Sequence, residues 1–199
     1  CFTKVCRTII FAGKLSFKYQ CIYWHNYFRT LHQVPNVTWS NRLQKEAKVW
    51  VKYLAENNKF EHSKKNPGNL YLSHPNDYPK EYCSDAVQWF HWEEKYYNYD
   101  KPGYVNKAGH FTQVVWRNSR QIGAAWEIRK DKRLVVSIKY NPGGNYVGYF
   151  SKNVFPPTGS TLGPNWPYSP PKFTRCPPPR SAAARKRVCG LYMVVGTLV

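Results

Sequence analysis

The chain has 199 residues, of which 42% are hydrophobic and 17% aromatic, enough to fill the core of one domain of ordinary size. No apolar run reaches the roughly 18 residues that a membrane-spanning helix needs, so no such helix is expected. The formal net charge of +19 favours polyanionic partners, either an anionic lipid surface or a nucleic acid. A solvated basic surface without a specific partner is the alternative. Every acid lies within residues 46–131, so both flanks are purely basic.

Apolar residues at helical spacing predict four helices. The first covers residues 22–33 and stops before Pro35. The second begins after Ser40, a residue suited to capping a helix, and carries an apolar stripe. That stripe consists of Leu43, Ala47, Trp50, Val51 and Leu54. The third covers residues 84–96, and the fourth begins at Gly109.

A loop rich in Asn, Pro and Gly is predicted over residues 66–82. Residues 121–128 (QIGAAWEI) and 133–142 (RLVVSIKYNP) predict two strands joined by a polar turn. Helices followed by a hairpin predict an α+β domain with helices packed on a small sheet. Nine of the fifteen prolines fall from Pro156 onward, which predicts an extended, mobile, basic tail over residues 159–199.

Six cysteines are present, and Cys83 alone lies well inside the central region. Their spacing matches no zinc ribbon, and a disulfide within the core is not expected. Few core cysteines and no visible signal peptide weaken the case for a secreted form. The sequon Asn36-Val37-Thr38 is usable in the secretory pathway alone, so glycan on Asn36 would decide the compartment.

Several ordered motifs resemble the CAP superfamily, which holds cysteine-rich secretory proteins, venom antigens and plant pathogenesis-related proteins. GHFTQVVW (109–116) and KYNPGGNYVG (139–148) are similar to its two signatures, and residues 25–51 are similar to its opening helices and loop. The ending NVFPP (153–157) resembles the Golgi-associated, pathogenesis-related-like branch. The family is usually secreted, but resemblance to this branch, with few core cysteines and no visible signal peptide, favours an intracellular form associated with Golgi membranes. The resemblance implies a three-layer α-β-α sandwich with a small antiparallel sheet. The domain would cover residues 22–158, after a basic flank at 1–21.

The family's central cleft carries two histidines and two glutamates. By resemblance, His62 and His110 match the histidines and Glu93 matches one glutamate, whereas Gly68 stands where the other is expected. Two neutral imidazoles can hold Zn²⁺, with Glu93 orienting a ring or a bound water. The missing carboxylate predicts weak zinc binding that is not required for function. Spacing of i, i+3 and i+7 from His110 predicts that Gln113 and Arg117 line the same wall of the cleft.

The loop KYYNYDKPGY (95–104) matches one that lies over an apolar pocket in sterol-exporting relatives. Tyrosine offers an apolar ring with a polar tip, which suits a lipid headgroup or a sterol hydroxyl. The lipid-contacting residues expected here are Tyr96, Tyr97, Tyr99, Pro102 and Tyr104. These rings could instead pack the loop on the domain.

The sequence therefore predicts a non-enzymatic protein that binds lipid or sterol on anionic membranes. A second copy of the chain is a further expected partner. One alternative is a metal-assisted hydrolase using His62, His110 and Glu93, although HExxH is absent and no nucleophile–base pair is evident. The other is nucleic-acid binding through the basic flanks, where KLSFKY (14–19) interleaves aromatic and basic residues. No nucleic-acid-binding fold accompanies that stretch, so nucleic acid is not the expected partner.

Overall fold

The structure is a computed structural model that describes residues 16–75 and 81–158. Its helices and strands are α1 Phe17–Leu31, β1 Thr38–Trp39, α2 Asn41–Glu56, β2 Asn69–Leu72, α3 Tyr82–Trp92, α4 Gly109–Val114, β3 Gln121–Ile128 and β4 Leu134–Asn141. Short 3-10 helices occupy Glu93–Tyr96, Asn106–Ala108 and Phe150–Lys152. None of the helices described is both long and apolar enough to span a bilayer. The predicted tail at 159–199 and residues 1–15 of the predicted flank, including Lys14 and Leu15 of KLSFKY, lie outside the described residues.

The sheet has four strands in the order β1-β3-β4-β2. Strands β3 and β4 form the predicted antiparallel hairpin, with Ile122 opposite Tyr140 and Ile128 opposite Leu134. Strand β2 pairs antiparallel with the other edge of β4, whereas β1 runs parallel to β3. The predicted α+β class is confirmed, but the sheet is mixed rather than purely antiparallel.

The two outer strands lie where the sequence predicts no strand, and β2 falls within the predicted 66–82 loop. They are four and two residues long, too short for an alternating pattern to be visible. Each is held by a partner far along the chain: Leu70 lies opposite Ser137, and Thr38 lies opposite Gln121. Tertiary pairing rather than local propensity makes these segments strands.

Strand β4 is buried at each of its first seven positions, so both faces of the sheet are covered. Helix α2 covers one face, where Ala47, Val51 and Leu54 pack with Leu70 and Val135. Helices α1, α3 and α4 pack on one another, and α1 and α3 also contact the hairpin. The arrangement is the predicted α-β-α sandwich, and the N-terminal end of α2 is capped by Ser40 as predicted.

A disulfide joins Cys21 of α1 to Cys83 of α3, with the two Cα atoms 5.2 Å apart. The prediction that the core lacks a disulfide is therefore wrong. Its error lies in the start of the first helix: α1 begins at Phe17, five residues before the predicted start. Cys21 is consequently a fully buried helical residue rather than part of a flank.

Arg29 is a fully buried cation near the C-terminal end of α1. Its guanidinium donates to the carbonyl oxygens of Pro35, Val114, Trp116 and Ser119 at 2.7–2.9 Å. Burial lowers the pKa of Arg29 to about 9, so the side chain is still charged at neutral pH. This one side chain ties α1 to the end of α4 and the turn that follows it.

Candidate functional site

His110 is the second residue of α4, and Glu93 holds it from two directions. The imidazole Nδ1–H donates to Glu93 Oε1 at 2.7 Å, and the backbone N–H of His110 donates to Oε2 at 3.0 Å. The N–H of Phe111 donates to the same Oε2 at 3.3 Å. Glu93 therefore caps α4 and fixes the tautomer of His110, which leaves Nε2 as the acceptor atom of the ring. The ring stacks on Phe90, with centroids 4.8 Å apart.

His62 lies on an exposed loop, where its Nδ1 is 3.4 Å from the carbonyl oxygen of Pro67. We looked among the described residues for groups of three or more His, Cys, Asp or Glu side chains whose ligand atoms lie within 4.8 Å of one another. Such a group is formed by His32, His91 and Glu94. The structure thus pairs Glu93 with His110 but does not gather His62 with them.

Gly68 stands at the position of the expected second glutamate, and its backbone has φ +56°. A Cβ placed there would lie 2.1 Å from the carbonyl oxygen of Ile138 on β4. The left-handed backbone and the close approach both require glycine. No carboxylate can be accommodated at this position without moving the backbone.

The backbone carbonyl group of His110 is bonded to a hydrogen-bond network of uncharged side chains, which the sequence does not reveal. Asn69 Nδ2 donates to the carbonyl oxygen of His110 at 3.0 Å and to Tyr140 Oη at 3.2 Å. Tyr140 Oη in turn donates to His25 Nε2 at 2.8 Å, because His25 Nδ1–H donates to the carbonyl oxygen of Cys21. Burial lowers the pKa of His25 to about 3 and raises that of Tyr140. The network therefore stays uncharged at neutral pH.

The buried His25 should make the protein less stable in acid. Its pKa is about 3 when folded and 6.5 in the unfolded reference, so the unfolded state binds more protons between these values. The expected loss is about 2 kcal/mol of unfolding free energy between pH 7 and pH 5. Urea unfolding at both pH values should show a weaker pH dependence in His25→Gln than in wild type. The exposed His74 provides the control, and an equal pH dependence in His25→Gln and wild type would contradict the assignment.

Of the two predicted cleft-wall residues, Gln113 lies on α4 three residues after His110, whereas Arg117 lies outside that helix. Gln113 is buried: its amide donates to Ser119 Oγ, and its oxygen accepts from the N–H of Gly144. Arg117 is exposed and lies beyond α4, which ends at Val114. Because the helix ends before Arg117, the i, i+7 spacing does not place Arg117 beside His110. Gln113 holds the loop around Gly144.

The predicted lipid loop divides into inward and outward residues. Tyr97 is buried against Phe111, and Tyr99 Oη donates to Glu94 Oε1 at 2.8 Å. Tyr96 and Tyr104 are exposed by 44% and 57%. Pro102 is exposed as well. Tyr97 and the half-buried Tyr99 anchor the loop, and the outward residues are the most accessible to a ligand.

Next to this loop lies a surface that we call the aromatic–lysine patch: Trp89, Trp92, Lys95, Tyr96 and Lys107. Trp89 and Trp92 are one turn apart on α3, and their ring centroids are 5.3 Å apart. Lys95 Nζ lies 2.9 Å from the centre of the Trp92 ring, and Lys107 Nζ lies 5.9 Å from that of Tyr96. The two tryptophans lie outside the buried stripe of α3, which contains Ala86, Val87 and Phe90. Their position outside this stripe is the sequence signal that they are surface residues.

An open groove of about 630 Å³ lies on another part of the domain, beside the 142–149 loop. Buried Trp116 and exposed Tyr146, Val147 and Tyr149 are among its lining residues. The sequence does not predict this groove. Its volume is in the range of small-molecule sites.

Ser63 Oγ donates to the carbonyl oxygen of Asn66 at 2.7 Å and accepts from Lys139 rather than from His62. Lys139 Nζ donates to Ser63 Oγ at 2.5 Å, to the carbonyl oxygen of Pro67 at 3.3 Å and to that of Asn66. Burial lowers the pKa of Lys139 to about 8, so the ammonium form still predominates at neutral pH. Its three protons all have acceptors, so Lys139 holds the 63–67 loop rather than presenting a lone pair to activate Ser63.

The model of the cysteine-rich secretory protein family, CAP, matches residues 22–154, and the chain belongs to this family. Golgi-associated plant pathogenesis-related protein 1 of Homo sapiens is 33% identical over 140 residues, which cover 67% of this chain and 88% of the relative. Pathogenesis-related protein 1B of Nicotiana tabacum is 34% identical over 128 residues, which cover 62% of this chain and 74% of the relative. The predicted family resemblance is confirmed.

Solved structures agree at the level of the fold. The crystal structure of NaASP2 with Zn²⁺ matches with a TM-score of 0.53 at 19% identity, over 74% of this chain and 89% of the other. The crystal structure of Na-ASP-1 matches with a TM-score of 0.56 at 19% identity, over 72% of this chain and 42% of the other. At these identities the matches support the α-β-α sandwich alone.

Proposed function

We propose that this CAP-domain protein is a non-enzymatic lipid-binding protein that associates with anionic membranes and contacts a lipid or sterol. The observation that carries the proposal is the aromatic–lysine patch. Trp89 and Trp92 expose 41% and 36% of their surface; Lys95 lies against Trp92, and Lys107 lies against the neighbouring Tyr96. Tryptophan and tyrosine suit the membrane interface because they combine an apolar ring with a polar group.

The patch is large enough to matter energetically. Exposed fractions of about 40% correspond to roughly 80 Å² for each tryptophan, or about 2 kcal/mol per ring if lipid covers it. Each lysine near an anionic surface adds about 1 kcal/mol. The net charge of +19 would strengthen the approach to that surface and make it sensitive to salt.

The loop after the patch extends the same surface. Tyr96 and Tyr104 present their rings outward, while Tyr97 and Tyr99 hold the loop to the domain. A sterol hydroxyl or a lipid headgroup would find a phenol group beside an apolar ring. The name of the human relative, which calls that protein Golgi-associated, is in keeping with membrane association here.

A weak divalent-metal site in the cleft belongs to the same proposal. His110 Nε2 is its one preset ligand atom, since Glu93 occupies the other ring nitrogen and His62 lies on a separate loop. Zinc bound by so incomplete a set would be released easily. The proposed lipid function does not require it.

Vesicle co-sedimentation tests the proposal. Full-length protein is mixed with phosphatidylcholine vesicles that contain or lack phosphatidylserine, each with and without sterol. We expect binding to the anionic vesicles that falls by about tenfold or more in Trp89→Ser/Trp92→Ser, since up to about 4 kcal/mol of ring burial is removed. Tyr146→Ser, in the groove, and Val49→Ser, exposed on α2, are the matched controls.

Two outcomes would contradict this function. If the tryptophan variant binds as wild type does and Tyr146→Ser does not, the groove is the lipid site and the patch is not. If no vesicle binds, but peptide or ester cleavage appears that is lost in His110→Ala, the metal-assisted hydrolase is the correct reading.

A further inference from the structure

We propose that His32, His91 and Glu94 form a zinc site separate from the His110–Glu93 pair. The three side chains come from different elements: His32 from the C-terminal cap of α1, His91 from α3 and Glu94 from the following 3-10 helix. Their ligand atoms all lie within 4.8 Å of one another. The site does not depend on the proposed lipid function.

The distances between the ligand atoms suit a small ion. His32 Nε2 and His91 Nε2 are 3.0 Å apart. Glu94 Oε2 lies 3.5 Å from His91 Nε2, and the other oxygen, Oε1, lies 4.0 Å from His32 Nε2. One ligand atom from each residue can be chosen so that all three lie within 4.8 Å of one another. In a tetrahedral site with bonds of about 2.0–2.1 Å, neighbouring ligand atoms are about 3.3–3.4 Å apart. The observed spacings bracket this value, so small side-chain adjustments suffice to form the three bonds.

Outer hydrogen bonds already orient two of the ligands. His32 Nδ1 is 2.7 Å from the carbonyl oxygen of Phe155, which can only accept, so Nδ1 carries the proton and Nε2 presents its lone pair. Tyr99 Oη donates to Glu94 Oε1 at 2.8 Å and fixes the carboxylate. A histidine bonded to a backbone carbonyl and a hydrogen-bonded carboxylate are the usual supports of a metal site.

His91 supplies the third ligand by a change of tautomer. Without metal, its Nε2–H can donate to His32 Nε2 across the 3.0 Å gap. With metal, that proton leaves Nε2 and Nδ1 takes one from solvent, so the ring stays neutral and the total charge of the protein is unchanged. Phe28 stacks on this ring at 3.8 Å between centroids, which limits its rotation.

The surroundings favour zinc over a hard cation. Two imidazoles and one carboxylate are borderline ligands, whereas calcium and magnesium prefer all-oxygen sets. The His32 side chain is fully buried, and those of His91 and Glu94 are 15% and 26% exposed. The side where Glu94 lies could admit a water molecule as fourth ligand. The bound ion would fasten α1 to the segment that carries the aromatic–lysine patch.

A competition titration with a chromophoric zinc chelator at pH 7.5 tests the site in the full chain. Wild type should take up zinc with an affinity that falls about 100-fold or more in His91→Phe, which keeps a ring to stack on Phe28. Glu94→Gln should also weaken binding, and Tyr99→Phe should do so by about tenfold. Cobalt substituted for zinc should give the intense visible bands of a four-coordinate ion in wild type and lose them in His91→Phe.

His110→Ala is the matched control, because it removes the cleft ligand and leaves this trio intact. Affinity retained in His110→Ala and lost in Glu94→Gln supports the proposal, even if His91→Phe fails to fold. Zinc binding that is absent in wild type, equal in all variants, or lost in His110→Ala alone would overturn it. Vesicle binding is measured separately, so failure here leaves the lipid proposal standing.

Discussion

Replacing Arg29 by methionine is expected to lower the free energy of unfolding by about 3–5 kcal/mol. Methionine fills much of the same space but donates no hydrogen bond. The carbonyl oxygens of Pro35, Val114, Trp116 and Ser119 would then lose their shared buried donor. Loss of these bonds should detach the end of α4 from α1, so the cost is much larger than that of an ordinary surface change.

Urea unfolding followed by circular dichroism measures this effect. Arg42→Met is the control, since Arg42 lies on the surface of α2 with its side chain 61% exposed beside Glu46. That exposed pair should contribute less than about 1 kcal/mol. An Arg29→Met variant within 1 kcal/mol of wild type would show that Arg29 does not fasten these elements together.

Removing the disulfide in Cys21→Ala/Cys83→Ala is expected to cost about 4 kcal/mol of stability under oxidising conditions. The bond closes a loop with a sequence separation of 62 residues, and loss of that constraint mainly favours the unfolded chain. Wild type treated with reductant should approach the stability of the double variant. Cys189→Ala is the control, because it removes a cysteine that does not belong to this disulfide.

Mass spectrometry provides a separate check on this pairing. Without reductant, alkylation of the denatured protein should leave Cys21 and Cys83 unmodified and joined in one cross-linked peptide. Full alkylation of both residues in protein from an oxidising compartment would contradict the assignment.

The parts of the fold with a regular local pattern are predictable from sequence. Helix α2 has a capping serine and a clear apolar stripe, and β3 and β4 are each eight residues long, with β4 buried at its first seven positions. Strands β1 and β2 have no such pattern, because partners far along the chain determine them. The role of Cys21 is not predictable in the same way, because α1 begins at Phe17, earlier than the apolar spacing that starts at Ile22 indicates.

The site is less predictable, because its contacts join residues far apart in sequence. Resemblance points to Glu93 and His110, which the structure places in direct contact. His32 and His91 are 59 residues apart, and neither belongs to a spacing that indicates a metal. At position 68 the sequence shows a glycine in place of the expected glutamate but not the reason for it. The structure gives that reason, because the backbone of Ile138 leaves no room for a side chain there.

One short segment carries most of the proposed chemistry. From Trp89 to Tyr96, outward residues form the aromatic–lysine patch, Glu93 caps α4, and His91 and Glu94 turn toward His32. The disulfide fixes α3 to α1 near the other end of the helix. A rigidly held α3 would present Trp89 and Trp92 to a membrane at little cost in side-chain ordering.

Quenching of tryptophan fluorescence by brominated acyl chains tests membrane insertion of the patch most directly. Wild type is compared with Trp89→Phe/Trp92→Phe, which keeps apolar rings on α3 but removes the two fluorophores. We expect strong quenching of wild type bound to anionic vesicles, and a large loss of quenching in the variant although its vesicle binding stays within a few-fold. Equal quenching of the two proteins, or bound wild type that is not quenched, would contradict insertion of Trp89 and Trp92 into the lipid surface.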